Sequence, residues 1–400
     1  MLARVLTSKL VAIVSCVAVL VAGIWLGAHP RYLPDPVANV LVGDKDRRVV
    51  AQALDTIHDR YYREIGDDEL ANAALKGAVE NLDDRFSNYF SPKEYARFNQ
   101  AINNQFSGVG TAVRGVADGL RIETVYPKSP AKKAGIRVGD VVVAANGRSL
   151  KGLEDEAATA LIKGPEGTKV TLRLRRGGRT LVKRLTRTTI SLPVVRSKIA
   201  NAGGERVAYI ALSTFGPRTA HVEVAAAIRK LRRRGAKGIV FDLRGNGGGL
   251  VSEAQLIASM FIEDGPIVTT RGRAVRSRTL SASGKAIAGT LPTVVLVDGG
   301  TASAAEIVAG ALQDRKRATV VGVKTFGKGV FQEILSLPNG GALDITVGQY
   351  FLPSGRNLGG AGVKQGSGIK PDVRVADDAD KPSDEALDRG LKVLSQRLRQ

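Results

Sequence analysis

Cysteine occurs once in this 400-residue chain, at position 16 within an apolar stretch, so neither an internal disulfide nor a Cys-based zinc site holds it together. Histidine is nearly as scarce, with three residues. His29 adjoins the apolar stretch, and His58 and His221 lie in helical patterns without a nearby carboxylate signature, which argues against a histidine general base. Aromatic residues make up 5% and do not interleave with the basic runs, so the base-stacking platforms of single-strand binders are missing and nucleic acid is not the expected partner. No G-x-S-x-G elbow occurs, and a G-x-G-x-x-G read from Gly245 ends on Leu250, which excludes the dinucleotide fingerprint. There is no internal repeat.

Acidic residues are also in deficit, 38 against 59 Lys and Arg, for a formal charge of +21. The stretch 163–198 holds eleven Lys/Arg and one acid, Glu166, and further basic runs lie at 229–237 and 271–278. Such a surface is drawn to polyanions, whether nucleic acid, an anionic membrane face or an acidic envelope polymer. Arg4 and Lys9 precede an uncharged apolar run, 10–26, the pattern of an export signal. Seventeen residues is at the lower limit for a span, so cleavage near Ala28 competes with retention as an inner-membrane anchor. Either way, the chain beyond residue 30 is expected to be exported to the periplasmic or cell-envelope side.

A proline-containing linker, 31–43, leads to helical periodicity at 49–65 and 68–82, the second opening on an Asp67-Asp68 cap signal, and a Ser91-Pro92 start predicts a further helix to 101. From 106 to 187 the pattern turns to strands at 109–116, 120–125, 140–145, 169–175 and 180–186, around one amphipathic helix at 153–162. After 192, strands at 207–212, 238–243 and 293–297 alternate with helices at 220–233, 251–261 and 304–313, followed by a strand at 342–351 and a basic, helix-prone tail from 384. The fold class is therefore an α/β core, a mixed sheet with flanking helices, plus a small β domain and an N-terminal helical region. In open α/β sheets, ligands sit in the crevice beyond the carboxyl ends of the strands, which places the loops after 243 and 297 where chemistry is expected.

Three segments carry that expectation. The turn Asp242-Leu243-Arg244-Gly245-Asn246-Gly247-Gly248-Gly249 joins a buried strand to a helix and offers backbone N–H groups to an anion. Ser303, followed by Glu306, opens a helix as a capping box, which also exposes a hydroxyl beside free N–H groups. The run 322–329 nearly spells a phosphate-binding loop, but Gly329 stands where Ser or Thr would hold magnesium and the sequence beyond is strand-like. Lys328 instead lies between glycines and near Phe326 and Phe331, surroundings that lower an amine's pKa; acting near neutrality requires a fall of about 3 units, roughly 4 kcal/mol. The S-x-x-K match at Ser129–Lys132 lacks the companion motifs and reads as chance.

These runs, with Thr301-Ala302-Ser303-Ala304-Ala305-Glu306-Ile307, and Thr325-Phe326-Gly327-Lys328-Gly329 followed by Gln332, resemble the carboxyl-terminal processing peptidases, also called tail-specific proteases. The segment 82–90 resembles that family's helical preface, and Ser129-Pro130-Ala131 through Gly139-Asp140 resembles its PDZ domain. The resemblance implies Ser303 as nucleophile, Lys328 as general base, Gln332 orienting the amine, backbone N–H groups of Gly248 and Ala304 as oxyanion hole, and Glu306 and Arg244 in support. Gly247 departs from the family's usual proline. The PDZ domain would take an apolar C-terminal tail by strand addition, its carboxylate on the loop Gly108, Val109, Gly110. No metal or cofactor is implied.

The expected organisation is a signal or anchor over 1–30, a linker and helical region over 31–104, a PDZ domain over 105–190, a Ser-Lys protease core over 191–375 and a basic tail over 376–400. The expected substrates are proteins or peptides with free apolar C-termini, while an adaptor or envelope partner and self-association stay open. Two other readings are a non-catalytic PDZ peptide-binding scaffold, in which Ser303 only caps a helix, and a cationic binder of envelope polymers.

Overall fold

The computed structural model describes residues 15–23, 25, 45–284, 286–360, 366–377, 381 and 383–400. Most of the apolar run 10–26 thus lies outside the described residues; 15–23 is helical, and no described helix is long and apolar enough to cross a membrane. The chain forms two compact units, one ending at Asn81 and the other running from Leu82 to the end. The first contains α1 (Lys45–Arg60) and α2 (Asp67–Glu80). The N-cap of α2 is Gly66 rather than the aspartates, which lie in the first turn with Glu69 and there complement the positive end of the helix dipole.

The second unit opens with β1 (Asn88–Phe90) and α3 (Pro92–Ile102). Proline at the first helical position and Ser91 N–H donating to Glu94 Oε2 at 2.9 Å start α3 where the sequence placed it. Next come β2 (Gln105–Gly108), β3 (Thr111–Val116), β4 (Gly119–Val125), α4 (Pro130–Lys133), β5 (Val141–Ala145), β6 (Arg148–Ser149), α5 (Asp155–Ile162), β7 (Lys169–Arg176), β8 (Arg179–Thr186) and β9 (Thr188–Ser191). Strands β3-β4-β5-β7-β8 make an antiparallel sheet in that order. On β7 the alternation Val170, Leu172, Leu174 buries one face against Ile162 and Ala158 of α5. The strand expected at 109–116 is broken at Gly110, whose φ of 83° turns the chain between β2 and β3. Strands β2 and β9 pair as an antiparallel ribbon through which the chain enters and leaves this β domain.

The core continues with β10 (Val195–Ala202), β11 (Glu205–Leu212), α6 (Ala220–Arg233), β12 (Ile239–Asp242), α7 (Val251–Ala258), β13 (Pro266–Arg271), β14 (Arg278–Ser281), β15 (Thr293–Val297), α8 (Ala304–Asp314), β16 (Thr319–Gly322), β17 (Val330–Ser336), β18 (Ala342–Phe351), β19 (Val373–Arg374) and α9 (Glu385–Leu398). The central sheet runs β10-β11-β12-β15-β16-β19, parallel from β11 onward. Alternation divides its two faces: Ile239, Phe241, Val295 and Val297 pack against α6, α7 and α8, while Val240, Val294 and Leu296 pack with Leu394 of α9. The segment from 384 is therefore a covering helix of the core; Gly390 lies against Leu296 and Val294, where a methyl group would come within 2.8 Å of Leu296. A second, antiparallel sheet, β1-β18-β13-β14 with β17 on β18, brings β1 from the preface onto the strand that carries Asp344 and Thr346.

Candidate active site

Three loops leave the carboxyl ends of β12, β15 and β16 and lock onto one another. Thr301 Oγ1 donates to Leu243 O at 2.9 Å, Ala302 N–H to Asn246 O at 3.0 Å and Phe326 N–H to Thr301 O at 3.0 Å. Asp298 Oδ1 accepts from the N–H groups of Gly245 and Gly300, each at 2.9 Å. These bonds hold Ser303 at the start of α8 with φ 54° and ψ −120°, a conformation L-residues avoid, costing about 1–3 kcal/mol and sustained because the loops around it leave no alternative.

Glu306 is the centre of the arrangement. Its side chain is fully buried and takes four donors: Thr325 Oγ1 and Gly327 N–H on Oε1, Ser303 N–H at 2.8 Å and Lys328 N–H at 3.0 Å on Oε2. One carboxylate oxygen thus gathers the main chains of Ser303 and Lys328, which are 25 residues apart (328 − 303). Burial raises the Glu306 pKa, and the hydrogen bonds from Thr325, Lys328, Gly327 and Ser303 oppose that rise. Tyr350 Oη donates to Lys328 O, and Asn357 Nδ2 donates to Gly329 O at 2.8 Å, so the lysine loop is also clamped from its other side.

The lysine amine is engaged by groups other than the serine. Lys328 Nζ donates to Gln332 Oε1 at 2.6 Å and stands 4.7 Å from the Phe86 ring centre, and no hydrogen bond joins it to Ser303 Oγ. Burial pushes its pKa below the ordinary lysine value, against the opposing charges of Asp344, Asp84 and Glu306. Asp344, half-buried beside Lys328 and Asp84, is pushed up to about 6 by desolvation and by the Asp84 charge, against the pull of Lys328. Burial also works to raise Asp84, but hydrogen bonds from Ser87, Thr346 and Phe86 and the charge of Lys328 prevail and leave it below its usual range.

Behind Gln332 a polar relay fixes the amide. Gln332 Nε2 donates to Thr346 Oγ1 at 2.9 Å, Thr346 N–H donates to Ser87 Oγ at 3.0 Å, and Ser87 Oγ donates to Asp84 Oδ2 at 2.6 Å. Sequence reasoning assigned nothing to Thr346, Asp84 or Asp344. The Leu82-Asp83-Asp84 run was the one available signal, and it pointed to the preface rather than to the site.

Gly248 sits directly against the serine. A Cβ there would come within 2.8 Å of Ser303 Cβ and 2.9 Å of Ala304 N, and φ is 101°, so only glycine fits. Its N–H is engaged by Asn246 Oδ1 at 2.9 Å, whereas the Ala304 N–H has no acceptor among the described residues. Buried Asn246 also donates from Nδ2 to Leu212 O at 2.8 Å, which anchors this turn. Arg244 points elsewhere, pairing with Asp242 at 2.7 Å, Asp384 at 2.7 Å and Asp377 at 2.9 Å. It ties the Gly-rich turn to the N-terminus of α9; burial works to lower its pKa, and its carboxylate partners prevail and raise it.

The loop Gly108, Val109, Gly110 borders a groove with Thr159 and Ile162 of α5, but the free space there is about 20 Å³, roughly room for one water. Edge strand β3 lines the same groove, and its Gly115 N–H donates to Asp155 Oδ2 at 2.9 Å. Both described histidines do have carboxylate neighbours, correcting the sequence reading: His221 pairs with Glu253 at 2.9 Å and His58 with Asp67 at 3.2 Å, and neither hydrogen-bonds to Ser303. Ser129 Oγ caps α4 through Lys132 N–H at 3.2 Å, a structural role for the S-x-x-K match. Among the described residues no group of His, Cys, Asp and Glu is arranged to hold a metal ion.

Comparison with known proteins adds three family matches: peptidase family S41 over 206–375, a PDZ domain over 121–176, and the N-terminal domain of the activating protease CtpB over 38–94. The chain is 34% identical over 334 residues to the carboxy-terminal processing protease CtpA of Bacillus subtilis, covering 83% of this chain and 70% of that protein. It is likewise 34% identical over 327 residues to the carboxyl-terminal-processing protease of Synechocystis, covering 80% and 76%. Among solved structures, a photosystem II D1 C-terminal processing protease is similar at 30% identity and a TM-score of 0.48, over 86% of this chain and 90% of that one.

Proposed function

This chain belongs to the carboxyl-terminal processing proteases, serine-type peptidases that act on proteins or peptides, and from that premise we propose that Ser303 and Lys328 are its catalytic dyad. The PDZ domain is part of the protease rather than a free-standing scaffold. The observation that carries the dyad is Glu306 Oε2, which accepts from the main chains of both residues.

In the proposed reaction, the neutral Lys328 amine swings from Gln332 Oε1 to Ser303 Oγ and takes its proton as the oxygen attacks the scissile carbonyl. The carbonyl oxygen, now negative, lies against the Ala304 N–H at the positive end of α8, with the Gly248 N–H joining once it leaves Asn246 Oδ1. The lysine ammonium then gives its proton to the departing amine; in the second half, the again-neutral Lys328 amine takes a proton from the water that attacks the acyl carbon and returns it to Ser303 Oγ as the ester bond breaks. Gln332, held by Thr346, is the acceptor that returns the amine to register, and Glu306 and Arg244 act as positioning residues.

The substrate is a protein whose free apolar tail adds to β3 with its carboxylate on the Gly108, Val109, Gly110 loop. Taking it requires the groove to widen and Asp155 to release Gly115. The sequence pattern at 4–26 supports an exported enzyme, retained at the inner membrane or released. The test is cleavage of a peptide with a free carboxyl terminus against its amidated twin. Wild type cuts the free form faster, and Ser303→Ala and Lys328→Ala each lose about five orders of magnitude. Equal cleavage by either variant refutes the dyad.

A further inference from the structure

Apart from the run 271–278 on and between β13 and β14, one end of the core gathers basic charge from several separate elements. Each helix that succeeds a parallel strand runs back toward the strands' amino ends, so α6 and α8 finish at the pole opposite Ser303. Helix α9 does the same: its N-cap Asp384 pairs with Arg244 at the catalytic pole, and Arg397 Nη1 donates to Thr293 O at 3.2 Å at the start of β15. Arg317 Nη2 reaches Leu291 O at 2.9 Å, and Arg232 donates to Ile287 O, so the loop before β15 is where the three helix ends meet.

At this pole Arg229, Lys230, Arg233, Arg234, Lys316 and Arg399 are exposed, and none of them forms an ion pair among the described residues. Two of the acids there, Glu205 and Asp264, already pair with Lys237 and Arg315. A cation near a helix C-terminus favours the helix, but one or two per helix satisfy that; a dense, unpaired set repels itself and is poorly explained by helix stability. The runs 229–237, 315–317 and 397–399 contain no aromatic residue, so bases have nothing to stack on. The cations come from three separate helix ends facing the same way, which suits a broad sheet of negative charge better than one discrete ligand. The same chain carries the uncharged run 10–26 behind Arg4 and Lys9, a segment of bilayer character.

We propose that this cationic pole docks on an anionic lipid bilayer and turns the catalytic loops toward the aqueous side. The five residues of β15 alone, at about 3.3 Å each, set Ser303 roughly 15 Å or more from the docked face. The inference does not depend on the identity of the dyad.

Partition of the full-length protein into vesicles tests it, comparing pure phosphatidylcholine with phosphatidylcholine containing about one third phosphatidylglycerol, across a salt series. The 10–26 segment contributes to both vesicle types, so the readout is the excess on the anionic one. That excess should fall with salt, and Arg229→Gln/Arg233→Gln/Arg234→Gln/Lys316→Gln should reduce it about tenfold or more, with hydrolysis of a short soluble peptide unchanged. A control removing four exposed cations from the β domain, Lys169→Gln/Arg173→Gln/Arg179→Gln/Arg184→Gln, should leave most of it. Equal loss in both variants makes the effect one of net charge and overturns the docking face. So does equal partition into both vesicle types, or binding of a DNA duplex that the first variant abolishes without any preference for anionic vesicles.

Discussion

The loops around Ser303 and the groove beside α5 in the PDZ domain are built to opposite specifications. Around Ser303 nearly every polar group is engaged: Glu306 takes four donors, Thr301 and Asp298 tie neighbouring loops, and Gly248 leaves no room for a methyl group. Around Gly110 the bonds are backbone ones, Tyr126 N–H to Gly110 O at 3.0 Å and Ala131 N–H to Val109 O at 2.9 Å, with no buried side chain gathering them. The groove is almost shut, a single carboxylate covers the edge of β3, and the domain joins the core through the two-stranded ribbon β2–β9. The contrast teaches that the main chain around Ser303 is preassembled, while the groove beside α5 is closed as it stands; under the proposed function, tail binding is then the step at which structural change is concentrated.

Replacing Glu306 with Ala strikes the preassembled side hardest. Four donors lose their acceptor in a fully buried place, and unfolding in denaturant should show a loss of about 3–5 kcal/mol, with the Gln variant between. A loss below about 1 kcal/mol would mean the loops do not lean on this carboxylate. Thr346→Val is expected to lower kcat about tenfold with KM little changed, because the freed Gln332 amide turns its NH2 toward the lysine amine; Thr346→Ser should restore most of the rate. Equal defects in the Val and Ser variants would assign Thr346 to packing alone.

On the other side of the comparison, Asp155→Ala uncovers Gly115 N–H and is expected to lower KM for tailed peptides about threefold without altering kcat, as read by initial-rate kinetics. A raised KM would instead make Asp155 part of the tail site. The smallest effect belongs to Asp344→Asn. Above about pH 6 the Asp344 carboxylate is charged and favours the ammonium form of Lys328. Its removal makes the neutral amine easier to reach, so the acid limb of kcat/KM should move to lower pH, by about half a unit. A shift to higher pH would reverse the assigned sign.

What was legible in the sequence is what local chemistry writes there. Ser91-Pro92 with Glu94 announced α3, and the alternation in β7 and β8 announced the small β domain. Ser303 and Lys328 were singled out because one opens a helix and the other sits in a Gly- and Phe-lined run; pairing them rested partly on the lack of a suitable histidine. Glu306 was visible as half of a capping box, but its bonds to Thr325, Gly327 and Lys328 close over 19 to 22 residues and leave no local signature. Thr346 meets Ser87 across 259 residues, through a preface strand that pairs with β18, so nothing near either residue records it. The short strands β16 and β19 escaped because two to four residues are too few to show a period. Arg244 was read toward the site from its motif, whereas its partners Asp377 and Asp384 lie in the C-terminal segment.

Covalent labelling with a serine-directed acylating probe, combined with peptide mass mapping across a pH series, addresses the dyad most directly. The expected result is a single adduct on Ser303, formed faster as pH rises through the lowered pKa of Lys328, and lost in Lys328→Ala although that variant remains folded. An adduct elsewhere, or one that forms on Ser303 equally well without the lysine, would contradict it.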